Sequence, residues 1–474
     1  MVTRARHGSQ RLPPRDRRFR DYSIATGVGP LAMPSVAAVR GVLRELATLD
    51  PEHRLLCRLD TSRGLLMPVG AAGLERHLDR VVVELDDHPA GTGDPRADPG
   101  PFIARLAAIC DEGLGDLPFR LEVGQRFAIL ALSHATGDGT IRQLLISVLL
   151  RCALDGSPAH ELALAETRFP LLRALGRTFV ADPARARALL SERAGSASTR
   201  VVPQPTADAH HLARPGSAAR YDRAAPHNYS VRAALLPRVA LAWARSARTA
   251  GVGGVAIRAG ELGCVVDHSA VDLMERLRTW RAEHAPAASA RSVLFAALID
   301  AFYESGLPQP EDGVYVAFNA RRYLPAGAAV FGNFSAGIEL TGQASRTPEA
   351  IAAEMHRMAD RGRPLAAMSA IVLKSLARTA APESTALIPQ PKITFSALGN
   401  LDSWSALPWL APPEQRWFGA LVPPTDPDAV TFNMAELEGV QHIALSFDAA
   451  RYDTGAMAKY LAMACADPLA FLSD

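Results

Sequence analysis

The sequence predicts a mixed α/β (α+β) protein built in two halves, and three observations carry that expectation. Helix-like and strand-like periods alternate from about residue 35 to residue 465. The stretch 191–230 is rich in Ala, Pro, Ser, His and Arg and has no sustained period. The length, 474 residues, suits two domains of roughly 200 residues each. The expected division is a disordered basic tail at 1–24, a first lobe at 25–190, a linker at 191–230 and a second lobe at 231–474.

The elements follow in chain order. Seven arginines precede Tyr22 with no apolar stretch of a signal peptide, so a frayed terminus is expected, with a basic interaction arm as the alternative. Ser35 reads as an N-cap before Val36, Val39, Leu43 and Leu46 at helical spacing, and Asp50-Pro51 stops that run. Leu55–Leu66 and Val81–Leu85 alternate like strands, and Phe102–Cys110 reads as a helix. Arg126–Ser133 is nearly continuous in apolar residues, as a buried strand should be. Ile141, Leu144, Leu145, Val148 and Leu149 then mark one helix face, closed by Gly156. The second half offers a strand at Gly263–Asp267, helices near Ala270–Ala285 and Ser292–Glu304, and strands at Gly313–Asn319 and Phe334–Leu340. Thr347-Pro348-Glu349 has the cap, proline and acidic first turn of a helix start. Strands at Lys392–Ala397, Ala429–Asn433 and His442–Phe447 precede a last helix after Asp453.

Composition narrows the classes. Hydrophobic residues at 48% and charged residues at 21% exclude a globally disordered or collagen-like chain. A net charge of +2 gives no argument for nucleic acid or an anionic membrane. Lys374, Lys392 and Lys459 are the only lysines; with abundant Ala, this reads as the coding bias of a GC-rich genome. Cys57, Cys110, Cys152, Cys264 and Cys465 form no C-x-x-C, which suggests reduced thiols in a cytoplasmic protein and no metal site. No apolar run reaches the length of a membrane span.

The chemistry concentrates after the buried strand, in His134-Ala-Thr-Gly-Asp138-Gly139. A histidine at a strand end faces the cleft beyond it, and its ordinary pKa of about 6.5 suits a general base. Asp138 would open the helix and accept from backbone N–H groups or an arginine, and Gly139 would let the chain turn. A plain N-cap beside a satisfied buried histidine is the alternative account. The spacing His-x-x-x-Asp recurs at His268/Asp272 and His356/Asp360. Leu273 stands at the glycine position of the first, and an i,i+4 helical pair accounts for the second. Gly251-Val-Gly253-Gly lacks the acidic residue of a dinucleotide site, and Asn333-Phe-Ser335-Ala-Gly337 lacks the first glycine of a nucleophile elbow.

Together with its strand, turn and helix, SHATGDG (133–139) resembles the H-x-x-x-D-G signature of the chloramphenicol-acetyltransferase-like superfamily. That group includes nonribosomal peptide condensation domains, plant BAHD acyltransferases, wax ester synthases and mycobacterial polyketide-associated acyltransferases. Asn319-Ala-Arg321 followed by Phe331-Gly332-Asn333 is similar to the family's N-x-R and (F)GN segment, and Thr394-Phe-Ser396-Ala-Leu-Gly399 to its S-x-x-G strand. The closing AVTFNMAELEG and HIALSFDAARYD hairpin fits as well. The resemblance implies two similar lobes forming a pseudo-dimer, with His134 midway along a tunnel between them. No cofactor stays bound: the co-substrate is a thioester of coenzyme A or of carrier-protein phosphopantetheine. A small-molecule alcohol or amine is the acceptor. His134 would be the base, Asp138 and Arg321 a shaping salt bridge, Asn333 a loop support, and the Ser396 hydroxyl or backbone N–H groups the oxyanion donors.

Ser133 stands where many condensation domains carry a first histidine, and the plant D-F-G-W-G motif is absent. Ser133 moves the match towards single-histidine acyltransferases, and with the GC-rich composition the expectation is an O- or N-acyltransferase of bacterial specialised metabolism. A free-standing condensation enzyme is the close rival, with the basic stretches Arg4–Arg20 and Arg238–Arg258 as places to meet an acidic carrier. A non-catalytic relative that binds a ligand or a synthase is the alternative from another class.

Overall fold

In the first half the buried strand and its helix organise everything else. The computed structural model describes residues 8–17, 19–20, 22–85, 100–191, 261–308, 314–340, 347–377, 393–424 and 427–472. The linker from 192 to 230, His210-His211, Arg238–Arg258 and Gly251–Gly254 lie outside the described residues.

The chain opens with β1 (Gln10–Arg11), the short α1 (Pro14–Arg17) and β2 (Ser23–Gly29). Next come α2 (Val36–Leu49), β3 (Cys57–Asp60), β4 (Leu65–Pro68), α3 (Gly70–Val81), β5 (Val82–Glu84), α4 (Gly100–Glu112), β6 (Phe119–Val123) and β7 (Ala128–Ser133). Helices α5 (Gly139–Asp155), α6 (Pro170–Leu175) and α7 (Pro183–Ser191) end the half. Ser35 caps α2 by accepting from the Ala38 N–H, and Gly156 ends α5 in the left-handed region at φ 69°. The expected Leu55–Leu66 strand is a hairpin, β3 pairing β4. β1 adds to its edge.

The second half holds β8 (Leu262–His268), α8 (Leu273–His284), α9 (Ala290–Glu304), β9 (Val314–Asn319), β10 (Ser335–Leu340), α10 (Pro348–Asp360) and α11 (Arg363–Ala377). It continues with β11 (Ile393–Asn400), α12 (Asp402–Ser405), β12 (Trp417–Leu421), β13 (Val430–Leu437), β14 (Val440–Asp448) and α13 (Thr454–Ala466). Thr347 caps α10 through its hydroxyl with Pro348 at the first turn, as its sequence predicts.

The first sheet runs β12-β2-β7-β6-β5 and the second β10-β9-β11-β13-β14-β8. Each has its own apolar core, and the halves exchange pieces in both directions. Strand β12, from the second half, pairs antiparallel with β2, Trp417 opposite Gly29 and Leu421 opposite Ala25. Conversely, Ala174, Phe179, Ala186 and Leu189 pack into the core of the second sheet. Division by sequence at 191–230 therefore does not divide the structure.

The tail is also corrected. Within the stretch expected to be disordered, Gln10–Arg11, Pro14–Arg17 and Ser23–Ile24 lie in strands or a helix, and Asp16 is completely buried. Enclosing a carboxylate requires charged or hydrogen-bonding partners, and Arg15, Arg54 and Asn333 supply them.

Candidate functional site

Strand β7 ends at Ser133, paired with Ser23 of β2, and the chain crosses to α5 through residues 134–138. The His134 N–H donates to the Tyr22 carbonyl (2.7 Å), which fixes the histidine at the sheet edge. Its imidazole stacks on Phe19 (centroids 4.4 Å apart, 16° between planes) and lies against Tyr22 at 5.4 Å. Nδ1 is buried without a hydrogen-bond partner. Burial lowers the histidine's pKa below the ordinary value, opposed by its own carbonyl and by Asp138.

Asp138 is the N-cap of α5, in extended conformation, its side chain accepting from the Ile141 N–H. Its other oxygen collects three donors from across the lobe boundary: Arg321 Nη1 at 2.7 Å, the Phe334 N–H at 2.9 Å and the Ser335 hydroxyl at 3.1 Å. Burial alone would raise its pKa, but Arg321 and these donors outweigh it and hold the carboxyl below its ordinary value. Arg321 spends its second nitrogen on the Val330 and Gly332 carbonyls. One guanidinium thus ties α5 to the loop after β9.

That loop is completed by Asn333, whose side-chain amide donates to the His134 carbonyl and to Asp16 Oδ1. Asp16 also accepts from the Asn333 N–H at 2.8 Å, and Arg54, 3.5 Å from Asp16, donates to the Thr136 carbonyl. Gly332 holds φ at 92°, and a Cβ there would sit 2.6 Å from Asp16 and 2.7 Å from Arg54. Only glycine fits.

Gly139 differs from its sequence expectation. Its φ is outside the left-handed region, so no tight turn requires it. What it provides is close approach: a Cβ would lie 2.6 Å from the Leu398 side chain of β11. Ser396, on the same strand, is half-buried beside Asn433 of β13 and makes no hydrogen bond to the His134–Asp138 cluster. Asn319 joins the cluster by donating to Thr140 (3.1 Å).

The site therefore unites His134, Asp138, Gly139, Arg321 and Asn333. Sequence reasoning missed Asp16, Phe19 and Tyr22, which fall in the segment expected to be disordered. The available signal was Asp16 itself, the first acidic residue in a run of arginines. Among the described residues no cluster of three or more His, Cys, Asp or Glu could hold a metal. No helix among them is long and apolar enough to cross a membrane.

No family model matches the chain, and no curated protein matches it in sequence. Solved structures do match in fold. Trichothecene 15-O-acetyltransferase from Fusarium sporotrichioides aligns at TM-score 0.55 with 11% identity, over 98% of this chain and 96% of that one. The condensation domain of the Monacolin K polyketide synthase aligns at 0.52 with 13% identity, over 96% and 95%. The cyclization-docking bidomain of a nonribosomal peptide synthetase from Sorangium cellulosum aligns at 0.52 with 12% identity, over 98% and 86%. The chain has the condensation-domain, chloramphenicol-acetyltransferase-like fold. Within this fold the described residues form one two-lobed unit, and the His134–Asp138 turn sits where the lobes meet.

Proposed function

We propose that the protein is an acyltransferase that moves an acyl group from a thioester to a hydroxyl or amine of a small molecule, with His134 as general base. The observation that carries this reading is a histidine held at the lobe junction by the Tyr22 carbonyl and the Asn333 amide, beside a fully engaged Asp138–Arg321 pair. With Nδ1 enclosed, Nε2 is the ring nitrogen left to take the acceptor's proton. The acceptor oxygen or nitrogen then attacks the thioester carbonyl, and the carbon–sulfur bond breaks. The thiolate leaves and receives the proton from His134. No covalent enzyme intermediate is needed. Asp138 has its oxygens turned to the Ile141 N–H and to Arg321, Phe334 and Ser335, so its work is to hold the turn. Backbone N–H groups or Ser396 would stabilise the oxyanion.

The donor is coenzyme A or a carrier-protein phosphopantetheine arm, and neither is a resident cofactor. Setting in bacterial specialised metabolism and a cytoplasmic location belong to the same proposal. The test is free-thiol release from a panel of acyl-CoAs and acyl-carrier proteins with mixed alcohols and amines. Release that His134→Ala abolishes supports acyl transfer. Preference for carrier-bound donors would favour the condensation-enzyme reading. Equal background from both proteins, with no donor binding, would make the chain a non-catalytic relative.

A further inference from the structure

Arg142 stands one helical turn beyond Asp138 on α5, and its N–H donates to the Asp138 carbonyl (3.0 Å). It is only 2% exposed. Nη1 is buried with no hydrogen-bond partner, and no carboxylate among the described residues pairs with the guanidinium. An enclosed, unpaired charge is among the costliest things a fold can hold.

Three acidic groups act on its charge, Cys110, Asp138 and Tyr22, and none forms an ion pair or hydrogen bond with the guanidinium. Asp138 has both oxygens engaged by Ile141, Arg321, Phe334 and Ser335. The Tyr22 phenol donates to the Pro423 carbonyl and is held protonated, its pKa raised by burial. The Cys110 thiol donates to the Ser23 carbonyl. Burial lowers the Arg142 pKa to about 10, which leaves it cationic near neutral pH. The same Tyr22 lies against the His134 ring, so the unpaired cation and the proposed base share a neighbour. A chain of polar contacts leads from there onto the second sheet: the Val422 N–H, beside Pro423, donates to the Ser446 hydroxyl. Ser446 pairs with Thr431, two residues from Asn433, which is fully buried with neither amide atom partnered.

We propose that Arg142 is the receptor for a carboxylate carried by one of the substrates, so that this acyltransferase works on an anionic acyl donor or an anionic acceptor. The inference rests on the acyl-transfer reading and deepens it by naming a substrate class. A single guanidinium suits a monoanionic carboxylate bound through two parallel N–H bonds.

Two substrate pairs locate the carboxylate. One compares succinyl-CoA with butyryl-CoA. The other compares a set of hydroxy and amino acids with the same compounds as amides. In one pair the wild type should favour the carboxylate member by at least about 100-fold in kcat/KM, as for other buried charge pairs. Arg142→Met should erase that preference and change turnover of the neutral member less than about threefold. Which pair responds assigns the carboxylate to donor or acceptor. Wild-type indifference in both pairs, with His134-dependent turnover intact, would overturn the carboxylate receptor and keep acyl transfer. If no donor gives His134-dependent release, the acyl-transfer reading falls, and saturation-transfer NMR with succinate and serine against their amides decides the rest. A carboxylate-selective signal lost in Arg142→Met keeps the anion site; no signal in wild type removes it. Melting without substrate is the structural control. A functional, unpaired arginine predicts that Arg142→Met melts no lower than wild type, whereas a marked drop would make it a structural residue and overturn the proposal.

Discussion

Two His-x-x-x-Asp segments lie at strand-to-helix junctions among the described residues, and one of them joins the cross-lobe cluster of the candidate site. His134 follows β7 and Asp138 caps α5; His268 ends β8 and Asp272 precedes α8. Their surroundings differ. Asp138 is extended and accepts four hydrogen bonds, three of them from the other lobe. Asp272 has helical φ and ψ and makes no capping bond. His134 is stacked under Phe19, whereas His268 spends Nε2 on the Glu414 carbonyl (3.1 Å) and lies over His442. The third pair is intrahelical, with His356 Nδ1 on the Ala352 carbonyl. Spacing alone therefore does not make a site here. The wall opposite, residues 319–335, makes it.

The largest test of this contrast is activity. Removing a positioned general base costs about 10²–10⁴-fold, so His134→Ala should abolish most thiol release while His268→Ala leaves it unchanged. Stability separates the two aspartates next. Asp138→Ala strands a largely buried Arg321 and should cost about 3–5 kcal/mol in urea unfolding. Asp272→Ala should stay within about 0.5 kcal/mol, like other surface changes. Similar losses from both aspartates would sink the claim that the opposite wall makes the difference.

Acid reaches both regions through buried histidines. His53 edges against Phe331 of the site loop, and His442 lies under His268. Burial holds each at a pKa of about 3. The unfolded chain binds these protons near pH 6.5, so between that value and 3 it holds more of them than the folded chain. Stability is then present above pH 6.5 and lost as pH falls, by about 2 kcal/mol per histidine at pH 5. Urea unfolding at pH 7.5 and 5.0 should show it, and His442→Leu should flatten the slope by one histidine's share. An unchanged slope in that variant would place the acid sensitivity elsewhere.

How much of this was legible follows from what kind of force sets each feature. Helix α10, with Thr347 and Pro348, and the strand-turn-helix around His134 are local, so period and caps revealed them. Helices α3 and α11 and strand β12 went unread. In β12, Trp417–Leu421 is short and is defined by its pairing with β2, some 390 residues away in sequence. Asp16 failed for a related reason. Its partners, Arg54 and Asn333, are distant in sequence; a carboxylate among arginines stands out in the sequence, but nothing local says which distant groups will enclose it. Arg142 reads as any helix residue until its burial is seen. Arg321 and Asn333 were reached through resemblance to a family motif, since spacing alone carries no sign that they meet Asp138.

The smallest effect concerns the glycine that singles out the first motif from the other two. Gly332 is required by its backbone, and any side chain there would strike Asp16 and Arg54. Gly139 is not: its φ suits any residue, and the obstacle is the flexible end of Leu398. Replacing glycine by alanine at a compatible backbone gains about 0.4–1 kcal/mol by restricting the unfolded chain, and moving Leu398 off its preferred rotamer costs about 0.5–1.5 kcal/mol. The two nearly cancel, so Gly139→Ala should unfold within about 1 kcal/mol of wild type, while Gly332→Ala is clearly destabilised. Leu398 belongs to the strand that carries Ser396, so the cost of Gly139→Ala should fall on catalysis, through displaced β11, more than on folding. Leu398→Ala should then restore the thiol release of the Gly139→Ala protein, and failure to do so would mean that Gly139 acts through its own backbone after all.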